Sequence, residues 1–137
     1  MRTIFLAAMA LTACSQEQAP VPQPEASGYR PPIGSNEIFR GEPGAAPGHE
    51  LIVTDLLLGP DAVGATHYHP WEEYLYVIEG SAKVDVADLG EGTLVAGQSF
   101  IIPAQAVHTP RAGPDGVRAI IIRVHNEGEP TMVPVDQ

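Results

Sequence analysis

From about residue 36 onward, short apolar runs alternate with glycine- and proline-bearing breaks. The runs that read as strands are 37–40, 50–58, 66–69, 73–79, 83–87, 92–95, 99–103, 106–109 and 117–125. They recur roughly every 8–12 residues, the spacing of an all-β sandwich or barrel. No long window beyond the amino terminus holds an i, i+3, i+4 apolar pattern, so helices are not expected there. Lys83-Val84-Asp85-Val86 alternates and predicts a strand with one wet face. Ala119-Ile120-Ile121-Ile122 does not alternate and predicts burial on both faces. In 73–79, strand formers predominate and Gly80 is expected to end the strand. Tyr74 and Tyr76 have the opposite parity to Glu73, so they should lie on the outer face, against another sheet or subunit.

The amino terminus follows a different pattern. A short positive start, Met1-Arg2-Thr3, precedes an unbroken apolar run over 4–11. That run is far shorter than the ~20 residues a membrane-spanning helix needs, and it fits the apolar region of a secretory signal peptide. Leu11-Thr12-Ala13-Cys14 resembles a bacterial lipobox, which implies cleavage before Cys14 and lipidation of its sulfur. Ser15 rather than an aspartate follows, which by the same resemblance implies sorting to the periplasmic face of an outer membrane. The chain therefore divides into a signal peptide at 1–13, a lipidated cysteine with a proline-rich tether at 14–35, and a β-barrel domain at 36–137. The tether cannot bury apolar area and should be extended.

Composition narrows the partners. At 137 residues the chain allows one domain. Its 7 Lys+Arg against 17 Asp+Glu would repel a polyanion, which argues against nucleic acid. Cys14 is the only cysteine, so no intramolecular disulfide can form.

The candidate chemistry lies in two stretches. His67 and His69 are two apart, so on a strand both imidazoles face one way. Glu73 keeps that parity, but a straight strand would place its Cα roughly 13–14 Å from that of His69. The chain must bend between them, and Pro70 sits where the bend is needed. The second stretch, 97–108, holds a turn glycine, a short apolar strand, Pro103 and His108. Three imidazoles and a carboxylate, His67, His69, Glu73 and His108, make a mixed N/O set suited to one divalent first-row metal: Mn, Fe, Ni, Cu or Zn. Trp71 lies in the bend, as a rim residue of the pocket or a core aromatic; Glu72 has the wrong parity for a ligand. His49 and His125 receive no role.

H-x-H-x3-E-x6-G, at His67, His69, Glu73 and Gly80, matches the first motif of the cupin superfamily. Gly97, Pro103 and His108 resemble the second. Three positions depart from the family pattern: Asp61 and Gln105 stand where it has glycine, and Ala112 where it has asparagine. The resemblance implies a single-domain cupin, a small antiparallel barrel or double-sheet jelly roll with a metal in its mouth. Two functions follow from it. One is a small metalloenzyme, of oxygenase, decarboxylase or isomerase type, acting on a small oxygenated molecule. The other is a non-catalytic binding module that captures a small ligand or metal. The remaining expected partners are the membrane, through the lipid anchor only, and a second copy of the chain, for which Tyr74, Tyr76 and Ile78 offer a surface.

Overall fold

The computed structural model describes residues 28–87 and 89–135. The apolar amino-terminal run, Cys14 and most of the tether lie outside the described residues. Eight strands run in chain order: β1 (Gly34–Gly41), β2 (His49–Leu58), β3 (His67–Tyr68), β4 (Glu73–Val86), β5 (Gly90–Val95), β6 (Ser99–Ile102), β7 (Arg111–Asn126) and β8 (Val133–Pro134). The larger sheet has the order β1-β2-β7-β4-β5, with β6 also paired to β4. β3 and β8 form a second, two-stranded sheet. All pairings are antiparallel. Isolated bridges from His108 to His67 and to Val86 tie the small sheet to the large one. The all-β expectation holds, and among the described residues there is no helix.

Alternation places the core. Leu75 and Val77 of β4 point inward with Val117, Ala119 and Ile121 of β7, and Ala82 and Ala112 complete the cluster. Each buried leucine, isoleucine or valine contributes roughly 1.5–3 kcal/mol. Lys83-Val84-Asp85-Val86 alternates as expected, with Lys83 and Asp85 exposed and Val86 buried. The run from Ala119 to Ile122 is only partly as expected. Ala119 and Ile121 are buried, whereas Ile120 and Ile122 are half-buried on the outer face.

Several boundaries differ from the sequence reading. Gly80 does not end a strand: β4 continues through it to Val86 and absorbs the expected 83–87 strand. Gly80 instead adopts φ +69° where the β4–β7 register shifts on both sides of it. A Cβ there would collide with the Gly116 carbonyl, which leaves room for glycine alone. The expected 106–109 strand is reduced to single bridges at His108. β7 begins earlier than expected, at Arg111, and β1 begins at Gly34, inside the stretch assigned to the tether. Strand β8 was not expected.

The outer face of the large sheet is apolar across its width. Ile101, Tyr74, Ile122, Val53 and Phe39 are register partners across β6, β4, β7, β2 and β1. Tyr74 and Tyr76 are 44% and 47% exposed, so no second sheet among the described residues covers them. Next to this row, Asp55 is buried under a bidentate contact from Arg118, whose Nε and Nη2 donate to its carboxylate at 3.1 and 2.8 Å.

Candidate metal centre

The local sequence explains how the site assembles. β3 stops after Tyr68, and 69–72 form the bend around Pro70 that the ligand spacing requires. The His69 carbonyl accepts the Gln105 N–H at 2.8 Å, pinning the bend to the loop that carries His108. β4 then starts at Glu73 with its side chain buried on the inner face. β8 lies along β3, His67 opposite Pro134 and Tyr68 opposite Val133, and holds the first two histidines in place.

His67, His69, Glu73 and His108 are all buried. One ring nitrogen from each histidine falls within 4.8 Å of the others. The Nε2 atoms of His67 and His69 are 3.1 Å apart, and a Glu73 carboxylate oxygen lies 2.8 Å from His69 Nε2. Each ring is also held from its other side. His67 Nδ1 donates to the Ala65 carbonyl at 2.8 Å, and His108 Nδ1 to the Ala106 carbonyl at 2.9 Å. His69 Nδ1 donates to the Thr131 carbonyl. A neutral imidazole that donates from Nδ1 carries a lone pair at Nε2. Backbone carbonyls thus aim three lone pairs at one spot, the usual way metal-ligating histidines are oriented.

That arrangement fits a metal ion. The Nε2 atoms of His67 and His69 face each other beside a carboxylate, an arrangement that calls for a cation among them, a metal ion or a shared proton. His108 Nε2 is buried and has no hydrogen-bond partner among the described residues. Burial holds the His67 and His108 imidazoles below the ordinary histidine value, so both favour the neutral, ligating form. For Glu73, burial alone would raise the carboxyl, but contact with His69 and the nearby Arg123 charge bring it below its ordinary value. The anion is therefore the resting form of Glu73.

The cluster opens on a cavity of about 180 Å³. Its walls are mainly apolar, with Leu56, Leu58, Leu75, Ile102 and Ile121 among them, and Lys83, Asp85, Arg111 and Arg123 also line it. Trp71 takes neither expected role. It is half-buried, does not line this cavity, and donates its Nε1–H to Glu129 at 2.7 Å. Glu72 is exposed.

Two contributors were missed by sequence reasoning. One is Arg123, which lines the cavity from β7, in register with Glu73. Its signal was present: it has the inward parity of Ala119 and Ile121, where a charge is out of place. The other is Thr131, which acts through its backbone carbonyl and so leaves no mark in the side-chain sequence.

A small antiparallel barrel with a buried, inward-facing imidazole cluster defines a class of metal-binding β-barrel protein. Residues 55–132, more than half of the chain, match the cupin domain family, and the chain belongs to it. Over 105 residues it is 26% identical to a 3-hydroxyanthranilate 3,4-dioxygenase of Mycosarcoma maydis. That match covers 74% of this chain and 54% of the enzyme, so the chain spans about half the length of this curated relative. The structure of oxalate decarboxylase from Bacillus subtilis at pH 4.6 matches with a TM-score of 0.57 and 20% identity, over 64% of this chain and 24% of that one. A deletion mutant of the same decarboxylase matches with a TM-score of 0.59 and 20% identity, over 77% and 29%. At these identities the structural likeness speaks for the fold.

Proposed function

We propose that this cupin is an envelope-anchored metalloenzyme of oxygenase, decarboxylase or isomerase type, acting on a small oxygenated molecule. The observation that carries the reading is the convergence of three backbone-oriented Nε2 atoms and one anionic carboxylate at a small apolar cavity. His67, His69, Glu73 and His108 would hold one divalent ion. Such an ion supplies Lewis-acid or redox chemistry and orients a substrate oxygen. The chain's own part is to keep the His67 and His108 imidazoles neutral, to fix the charge of Glu73, and to exclude water with the leucine and isoleucine walls. The relative matched in sequence is named as a dioxygenase, which supports catalysis over simple capture.

The test is elemental analysis of the purified protein, followed by oxygen-uptake and carbon-dioxide-release assays on a panel of small acids and phenols. Metal-dependent turnover abolished in the His67/His69 double alanine variant is expected. Stoichiometric metal and saturable ligand binding without product would assign a binding module instead.

Anchoring rests on the Leu11–Cys14 box, and placement at the periplasmic face of an outer membrane rests on Ser15. Intact-mass analysis should show loss of residues 1–13 and added acyl mass on Cys14; an unmodified thiol in the native host would remove the anchor. A homodimer through the outer face is supported by the apolar row that includes Tyr74 and Ile101. Sedimentation of wild type against Tyr74→Glu would reveal it as a fall in mass, and a monomeric wild type would end the idea.

A further inference from the structure

The cavity contains a cation whose hydrogen bonding is incomplete. Arg123 points inward from β7, lines the chamber with the imidazole cluster, and spends one hydrogen bond on Thr54, from Nη2 to Oγ1 at 3.1 Å. Its Nε is buried and has no partner among the described residues. No carboxylate among the described residues lies within ion-pair distance of it. Glu73, its register partner, is turned to His69 instead. A guanidinium left with free donors in an apolar chamber carries a desolvation cost that a bound anion would offset.

The wider charge distribution agrees. The chain has 7 Lys+Arg against 17 Asp+Glu, yet three cations, Lys83, Arg111 and Arg123, line this one cavity against two carboxylates, Glu73 and Asp85. An acidic protein that gathers scarce cations around its chamber favours an anion inside it.

Shape selects the kind of anion. A guanidinium presents a planar fork of donors that matches the two oxygens of a carboxylate. A phosphate dianion would bring two negative charges to the side of the anionic Glu73, one more than the Arg123 guanidinium can balance. The volume, about 180 Å³, is slightly larger than the apolar cavity of roughly 150 Å³ that accepts benzene. We propose that Arg123 is the anchoring residue for a small monocarboxylate whose apolar body is about one aromatic ring or a short aliphatic chain. This rests on the reading of the cavity as the small-molecule site, and it deepens that reading by naming the substrate class.

The test uses the full chain, metal-free and zinc-loaded, titrated calorimetrically with benzoate and with benzamide. The two probes share a ring and differ in charge. Wild type should bind benzoate about tenfold more tightly than benzamide, the scale of one charge-assisted contact. Arg123→Gln should lose that preference and keep its zinc affinity; Arg123→Lys should retain part of the preference. Wild type that binds the two probes equally, or shows no saturable benzoate binding, overturns the proposal. So does Arg123→Gln that still prefers benzoate. If Arg123→Gln fails to fold, wild type and Arg123→Lys decide by the same comparison. If zinc does not bind but metal-free protein keeps an Arg123-dependent preference for benzoate, the metal reading falls and the carboxylate anchor stands.

Discussion

The backbones of His67 and His108 are bonded to each other in both directions, N–H to carbonyl at 3.0 and 2.9 Å. Residues paired this way in an antiparallel ladder project their side chains to the same face. The pairing therefore fixes two imidazoles as neighbours, with ring centroids 4.4 Å apart, without any help from the rings themselves. Alanine at His67, His69 or His108 should leave the barrel folded and remove a ligand. Replacing a residue that merely orients a ligand typically costs 10–100-fold in metal affinity, so each of these losses should exceed about 100-fold. The largest should come at His69, whose Nε2 lies between His67 Nε2 and the Glu73 carboxylate. Glu73→Gln should also weaken binding, by removing the one negative charge in the set. Competition with a chelating dye, backed by circular dichroism of each variant, measures both quantities. Equal affinity in wild type and all four variants would reassign the cluster.

Acid should act on this site in a defined direction. Burial lowers the His67 and His108 values below 6.5, so both rings stay neutral in the folded chain where an unfolded one takes up protons. The unfolded state then binds more protons, and stability rises with pH across that interval. Metal-free protein should hold a flat Tm above about pH 6.5 and lose stability as pH falls from there through the folded values. Glu73, lowered from 4.5, adds a further loss only in stronger acid. Metal affinity should fall over the same range but persist below pH 6.5, because His67 and His108 remain deprotonated there. Thermal melts from pH 5 to 8 decide the matter, and a metal-free Tm that climbs toward pH 5 contradicts the assignment.

Gly80 is the family-motif position whose structural task is easiest to test. Alanine there would have to keep φ +69° and push back the Gly116 carbonyl, itself on a left-handed glycine wedged against Leu58. Left-handed strain and overpacking each cost on the order of 1–3 kcal/mol. Gly80→Ala should therefore lose at least about 2 kcal/mol in urea unfolding. A loss near zero would mean that β4 and β7 can separate at this crossing.

Much of this was legible because parity and bend geometry are local. His67 and His69 share a face by the two-residue period, and the distance to Glu73 demanded the break that the structure places at 69–72. Other features were set by tertiary partners. Gly80 read as a stop because glycine weakens strands, but a close approach from β7 turned it into a bulge inside a longer strand. The 106–109 segment had strand composition, yet only His108 found backbone partners in register. β8 was invisible because two residues carry no periodicity. Arg123 was overlooked within an isoleucine-rich run, although its parity already marked it as inward.

The last prediction concerns the two departures from the family's glycines. Asp61 and Gln105 are the only non-glycine residues with positive φ among the described residues, at 53° and 62°. Both stand where the family motif has glycine, and each holds the left-handed conformation that glycine adopts freely. Left-handed φ costs an ordinary L-residue roughly 1–2 kcal/mol, and less for aspartate, whose short side chain bonds locally. Restoring glycine removes that strain but frees the unfolded chain, at a cost of about 0.5–1 kcal/mol. Gln105→Gly should therefore stabilise by up to about 1 kcal/mol, and Asp61→Gly should be close to neutral. Gln105→Ala is the control: it removes the same side chain but keeps the strain, so it should gain nothing. The Gln105 N–H holds the His69 carbonyl in any of these variants, so metal affinity should not move. Chemical denaturation of the three variants decides it. If Ala and Gly at 105 stabilise equally, the gain comes from losing the glutamine side chain, and the left-handed backbone beside His108 is not strained.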